Sequence, residues 1–151
     1  MHAACAVLSV WLTLINGDRA ALQPPAPPLV VDQDLMWYAQ WRSEDMLARD
    51  FYGHDIPGIG LVYNVLWALG YGYSPLAENA WWCVPDAGDG CGTQQAHDIL
   101  MASRAGHREA ILNRQATRVG LGAAHDDKDQ CVYTQLFASD APWPRYQDAS
   151  R

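Results

Sequence analysis

The stretch Ser103-Arg104-Ala105-Gly106-His107-Arg108-Glu109-Ala110-Ile111-Leu112-Asn113 places a Gly-His-Arg turn between two helical patterns. A histidine on a bend beside a glycine is free to point into a cleft. Two more polar landmarks lie upstream in apolar surroundings. Phe51-Tyr52-Gly53-His54 ends an amphipathic run, and Ala77-Glu78-Asn79-Ala80-Trp81-Trp82 opens a strand-like one. His54, Glu78 and His107 are therefore expected to meet in space, with the rest of the chain as their scaffold.

Outward from this stretch, the pattern is helical before it and strand-like after it. Ala4 to Ile15 has the apolar density of a buried helix, and Asn16-Gly17 reads as its stop. A secretion-signal core is the alternative, but no Lys or Arg flanks it and no small-x-small cleavage pattern follows. Leu22 to Leu29 is a proline-rich connector. Asp32 starts a second helix, striped by Leu35, Met36, Ala39, Met46 and Leu47, that runs to about Asp50. Leu61 to Leu69 fits a third helix with Gly70 at its end, and Gln94 to Ser103 a fourth. Strands are expected at Ala77–Cys83, Val119–Ala124 and Cys131–Phe137, the last two around the polar loop Asp126-Asp127-Lys128-Asp129. Helices first and antiparallel strands late make an α+β fold.

With 151 residues, half of them apolar, the chain suits one core, taken as residues 1–139 with a tail at 140–151. The net charge of -7 and a single lysine, Lys128, argue against nucleic acid. No run of about 20 apolar residues is present to span a membrane. Four cysteines suit two disulfides. Cys83 and Cys91 flank a turn-rich loop, and a bridge there is worth roughly 2–3 kcal/mol by loop closure. By elimination Cys5 pairs with Cys131. Free thiols or a cysteine zinc site are the alternatives, without any Cys-x-x-Cys to support them. Disulfides imply an oxidising, extracellular location.

Seven short motifs follow one another in a familiar order: Asn16-x-x-Arg19, Pro28-Leu29, Tyr52-Gly53-His54, Gly70-Tyr71, Glu78-Asn79, the stretch from Ser103 to Asn113, and Val119-Gly120-Leu121-Gly122. In this order the chain resembles the CAP superfamily of cysteine-rich secretory proteins, antigen 5 and pathogenesis-related proteins, nearest its bacterial secreted branch. The resemblance covers about residues 6–138. It implies an α-β-α sandwich with a central antiparallel sheet, and a cavity lined by two His and two Glu. His54, Glu78 and His107 match three of those positions. The fourth falls where this chain has no Glu, and Gln95, or its neighbour Gln94, stands nearest.

The resemblance also implies a divalent metal such as zinc on His54 and His107. Two imidazoles and a carboxylate make a tetrahedral site with a place for water. The expected function is that of a secreted, monomeric, non-enzymatic domain whose cavity takes metal, or a small-molecule, lipid or protein ligand. A zinc hydrolase using Glu78, and a lipid or sterol carrier, are the alternatives. Each residue has a plainer role as well: His54 as a helix cap, Glu78 as a hydrogen-bond acceptor, His107 as a brace of its turn. His97 is expected to be exposed, and His125-Asp126-Asp127 to be a solvated hairpin tip. The tryptophans are assigned to core packing, with Trp81 and Trp82 on opposite faces of their strand. No Gly-x-Ser-x-Gly elbow or phosphate-binding glycine motif is present.

Overall fold

A computed structural model describes residues 8–85 and 91–143. In chain order the elements are α1 (Leu8–Ala20), β1 (Val30–Val31), α2 (Gln33–Ala48), α3 (Val62–Ala68), β2 (Tyr73–Cys83), α4 (Thr93–Ala102), α5 (His107–Leu112), β3 (Arg118–His125) and β4 (Cys131–Pro142). The strands form one sheet in the order β1-β3-β4-β2. Two pairings are antiparallel, but β1 runs parallel to β3, so the sheet is mixed rather than wholly antiparallel. The parallel pair exists because the proline connector carries Val30 beside Arg118, with Val30 N–H on the Thr117 carbonyl (2.9 Å).

Helices cover both faces of the sheet. On one side Trp11, Ile15, Leu100 and Ile111 of α1, α4 and α5 pack on Leu121, Tyr133 and Phe137. Leu35, Tyr38 and Ala39 of α2, with Val62 and Leu66 of α3, pack on Leu136 and Ala138 from the other. The result is the expected α-β-α sandwich. Arginine and asparagine then close the N-terminal helix onto later chain.

Helix α1 does not stop at Asn16-Gly17, as its sequence suggested, but continues to Ala20. Asn16 spends its side chain on the Leu29 backbone, accepting from N–H (2.8 Å) and donating to C=O (3.2 Å). One turn later the fully buried Arg19 donates to the carbonyls of Pro27, Ile111, Asn113 and Ala116 at 2.8–2.9 Å. Those bonds outweigh the cost of about 1 kcal/mol for a glycine inside a helix.

Asp32 caps α2 as expected, accepting from Leu35 N–H (3.0 Å). Helix α3 ends on Gly70 at φ 77°, with Tyr71 N–H returning to the Leu66 carbonyl (2.9 Å). Strand β2 begins four residues earlier than expected, and β4 reaches Pro142, where Trp143 packs edge-on against Trp67. Trp81 stacks on Tyr133 while Trp82 meets Tyr52 from the opposite face. Cys83 and Cys91 are bridged across a Cα separation of 5.6 Å. The expected Cys5–Cys131 pairing lies outside the described residues, because Cys5 does.

Candidate functional site

Helix α2 carries a charge on its buried stripe. Leu35, Ala39 and Met46 face the sheet, and Arg42 sits between them with no exposed surface. A guanidinium there must be paired. Glu78 on β2 provides the partner: Arg42 Nε donates to Oε2 (3.0 Å) and Nη2 to Oε1 (3.2 Å). Nη2 also donates to the Gly53 carbonyl (2.7 Å), which fastens the loop after α2. The Arg42 and Glu78 side chains are 0% and 4% exposed, so the pair is a buried fork rather than a surface ion pair.

That same loop delivers His54. Gly53 turns the chain at φ 141°, and His54 Nδ1 donates to Glu78 Oε1 (2.9 Å). A carboxylate only accepts, so the proton is on Nδ1. The imidazole is half exposed. Its hydrogen bond to Glu78 raises its pKa above the ordinary value, against the opposing effects of burial and of Arg42.

His107 follows Gly106, whose φ of 99° makes the bend. Asn79, buried on β2, donates its amide to the His107 carbonyl (3.0 Å) and to Gln135 Oε1 (2.8 Å), pinning the start of α5 to the sheet. Burial, and then the charge of nearby His54, pull the His107 imidazole below its usual pKa. The structure thus joins His54 to Glu78 directly and sets His107 close by, its ring making no hydrogen bond among the described residues.

Gln95 stands apart. Its Oε1 accepts from Gly92 N–H (3.2 Å) at the entry of α4, and the residue is exposed. Gln94 bonds Asp98 on the same helix (2.8 Å). His97, expected to be exposed, is instead 3% exposed and donates from Nε2 to Asp18 Oδ2 (2.6 Å). Ala96, His97 and Leu100 form the buried stripe of α4, and Ile99 faces outward.

Beside the Arg42–Glu78–His54 chain is a cleft of about 350 Å³. Leu61, Val62 and Tyr63 at the start of α3 form one wall, and Leu76, Ala77 and Glu78 of β2 the other. His54 lines it as well. The lining is mainly apolar, with the His54 imidazole and the Glu78 carboxylate among its polar groups. The carboxylate beside the two histidines is already engaged. Both Glu78 oxygens are engaged by Arg42, one of them by His54 as well, so its charge is already offset. Among the described residues, no group of three or more His, Cys, Asp or Glu is placed to hold a metal ion.

The residue that sequence reasoning missed is Arg42. Its signal was present, as a charge at the i+7 position of the stripe that begins at Leu35.

Comparison with known proteins agrees with this architecture. A bacterial relative, the uncharacterized protein YkwD of Bacillus subtilis, is 26% identical over 126 residues, covering 82% of this chain and 44% of the relative. The solved structure of an extracellular protein containing a SCP domain from Bacillus anthracis superposes with a TM-score of 0.66 at 27% identity. It covers 87% of this chain and 39% of its own, so the chain spans less than half of either relative. An outer surface protein of Borrelia burgdorferi gives a TM-score of 0.69 at 15% identity, over 89% of this chain and 92% of that one, a likeness of fold. The model of the cysteine-rich secretory protein family matches residues 12–137, which is most of the sandwich and both histidine-bearing bends, and the chain therefore belongs to that CAP family.

Proposed function

We propose that this chain is an extracellular recognition domain whose α3–β2 cleft binds an organic group without catalysis and without a metal. The supporting observation is the Arg42–Glu78 fork. It withdraws the carboxylate of the cleft into a buried pair and leaves His54 as a half-exposed polar group in a mainly apolar slot. A ligand that fits sets apolar surface against Leu61, Val62 and Tyr63 and offers a hydrogen-bonding group to His54. A hydrolase reading lacks parts. Among the described residues no Ser, Thr or Cys lines the cleft to serve as a nucleophile, and Glu78 is already committed as an acceptor. An extracellular setting suits the Cys83–Cys91 bridge and the extracellular Bacillus anthracis protein that the chain resembles.

The test is binding of anilinonaphthalene sulfonate, which carries apolar rings and an anionic group, followed by fluorescence. Saturable binding should weaken roughly tenfold in Leu61→Asp and in His54→Ala, a loss of about 1.4 kcal/mol each, with circular dichroism unchanged. Equal binding in both variants refutes the cleft as the site. Zinc titration by calorimetry forms the second arm. Stoichiometric zinc that disappears in His54→Ala and His107→Ala would overturn the metal-free reading, and chelator-sensitive turnover of a peptide would overturn the non-catalytic one.

A further inference from the structure

The cleft lies along the rim of the sheet rather than on one of its faces. Strand β2 is an edge strand. Neighbouring side chains of a strand point to opposite faces. Glu78 reaches Arg42 of α2 on one face, and Ala77 packs with the α1–α4 core on the other. A cleft lined by both residues straddles the free edge between them. The register with β4 slips between Pro75 and Ala77, which makes Leu76 the extra residue of a bulge, and Leu76 lines the same cleft.

The edge is closed on either side of this point. Pro75 has no N–H to offer. Past the cleft, the Tyr52 hydroxyl donates to the Ala80 carbonyl (2.7 Å). Between these stops, the backbone groups of Leu76, Ala77 and Glu78 have no partner outside the β2–β4 ladder among the described residues. The bond from Tyr52 marks the Ala80 carbonyl as outward-facing. The period of two then turns the N–H and C=O of Glu78 outward as well.

Unpaired donors and acceptors at strand spacing are matched by another extended chain, and apolar walls beside them take one of its side chains. Glu78 adds no bare charge to the floor, since Arg42 offsets it. The net charge of -7 draws in basic flanks and repels acidic ones. A second copy of this chain is a poor occupant, because the open edge between Pro75 and Ala80 is too short for two β2 strands to pair and both copies are acidic. The geometry points to a short extended peptide, apolar at its centre and basic at its flanks, that adds to β2 at Leu76–Glu78 as a fifth strand. This inference rests on the cleft being the ligand site, and gives that site its ligand class.

The probe is acetyl-Lys-Ala-Leu-Ala-Lys-amide, titrated into the 15N-labelled protein to about 5 mM, a range that reads dissociation constants near 1 mM. The amide resonances of Leu76 and Glu78 should shift, and the Glu78 amide should exchange more slowly with solvent. Analogues methylated at each backbone nitrogen in turn separate strand pairing from side-chain packing. At least one should bind about tenfold more weakly, as should the Glu-flanked peptide and the Leu61→Asp protein. Leu61 is 47% exposed, so that variant leaves the core alone. If every methylated analogue binds as tightly as its parent, strand addition is refuted. Absence of any peptide shift, with the dye still bound at the cleft, refutes strand addition but leaves the cleft reading standing. Loss of dye and peptide binding together removes both.

Discussion

The Arg42–Glu78 fork places a full positive and a full negative charge in the interior. Each is buried, so each depends on the other for its solvation. Removing one partner strands a charge: Arg42→Met or Glu78→Leu alone should cost about 3–5 kcal/mol in urea unfolding. The double replacement should recover much of that loss, because no unpaired charge remains. Strictly additive losses would refute the coupling. The same pair marks how far the sequence could be read at this scale. His54 and Glu78 were legible as a meeting pair from their motifs, and they do meet, at 2.9 Å. What was not legible was the guanidinium behind them, because reading α2 as an apolar stripe passed over the one stripe position that is charged. His97 failed for a related reason. A polar residue read as surface is buried when a partner on another helix, here Asp18, is supplied only by the tertiary fold.

At the scale of elements, the Val119-Gly120-Leu121-Gly122 stretch was read as a strand, and β3 is one. The reason for its glycines appeared only once α2 was in place. A Cβ built on Gly120 would stand 2.1 Å from the Leu35 carbonyl carbon, and one on Gly122 would stand 2.2 Å from that of Ala39. Both contacts are with helix backbone, which cannot swing aside as a side chain can. The two glycines, alternate residues on one face of β3, therefore let α2 lie directly on the sheet. Gly122→Ala should lower stability by roughly 3 kcal/mol, toward the upper end for overpacked cores, and its unfolding midpoint in urea measures this. A loss under about 0.5 kcal/mol, ordinary for a surface substitution, would mean that α2 is not seated as described. Helix α2 also carries Arg42, so the closeness of this contact sets where the Glu78 fork is made. The strand order and the parallel β1 were not readable at this level, because two residues of strand carry no periodicity to detect.

For the whole molecule, the two helical layers are locked to the sheet by buried tyrosines as well as by hydrocarbon. Tyr133 is fully buried between Trp11 and Trp81, and its hydroxyl donates to the Cys91 carbonyl. Tyr71, on the α2 side, donates to Asp32 Oδ2 (3.1 Å), the carboxylate that caps α2. Burial pushes Tyr133 up to about 12. Burial first, and then the Asp32 charge, raise Tyr71 further still. An unfolded tyrosine ionises near 10. Folding therefore holds protons that the unfolded chain releases, so this stabilisation is fully present below about pH 10 and is lost as pH rises through the folded value near 12. The chain suits such a measurement, since Lys128 is its single lysine and its seven tyrosines supply most of the titration in that window. Urea midpoints should hold steady up to about pH 10 and then fall steeply. Tyr133→Phe should begin lower at neutral pH, having lost its bond to Cys91, yet fall less between pH 10 and pH 12. Identical alkaline slopes in the two proteins would show that Tyr133 ionises freely in the folded state, which a side chain sealed between the helical layer and the sheet cannot do.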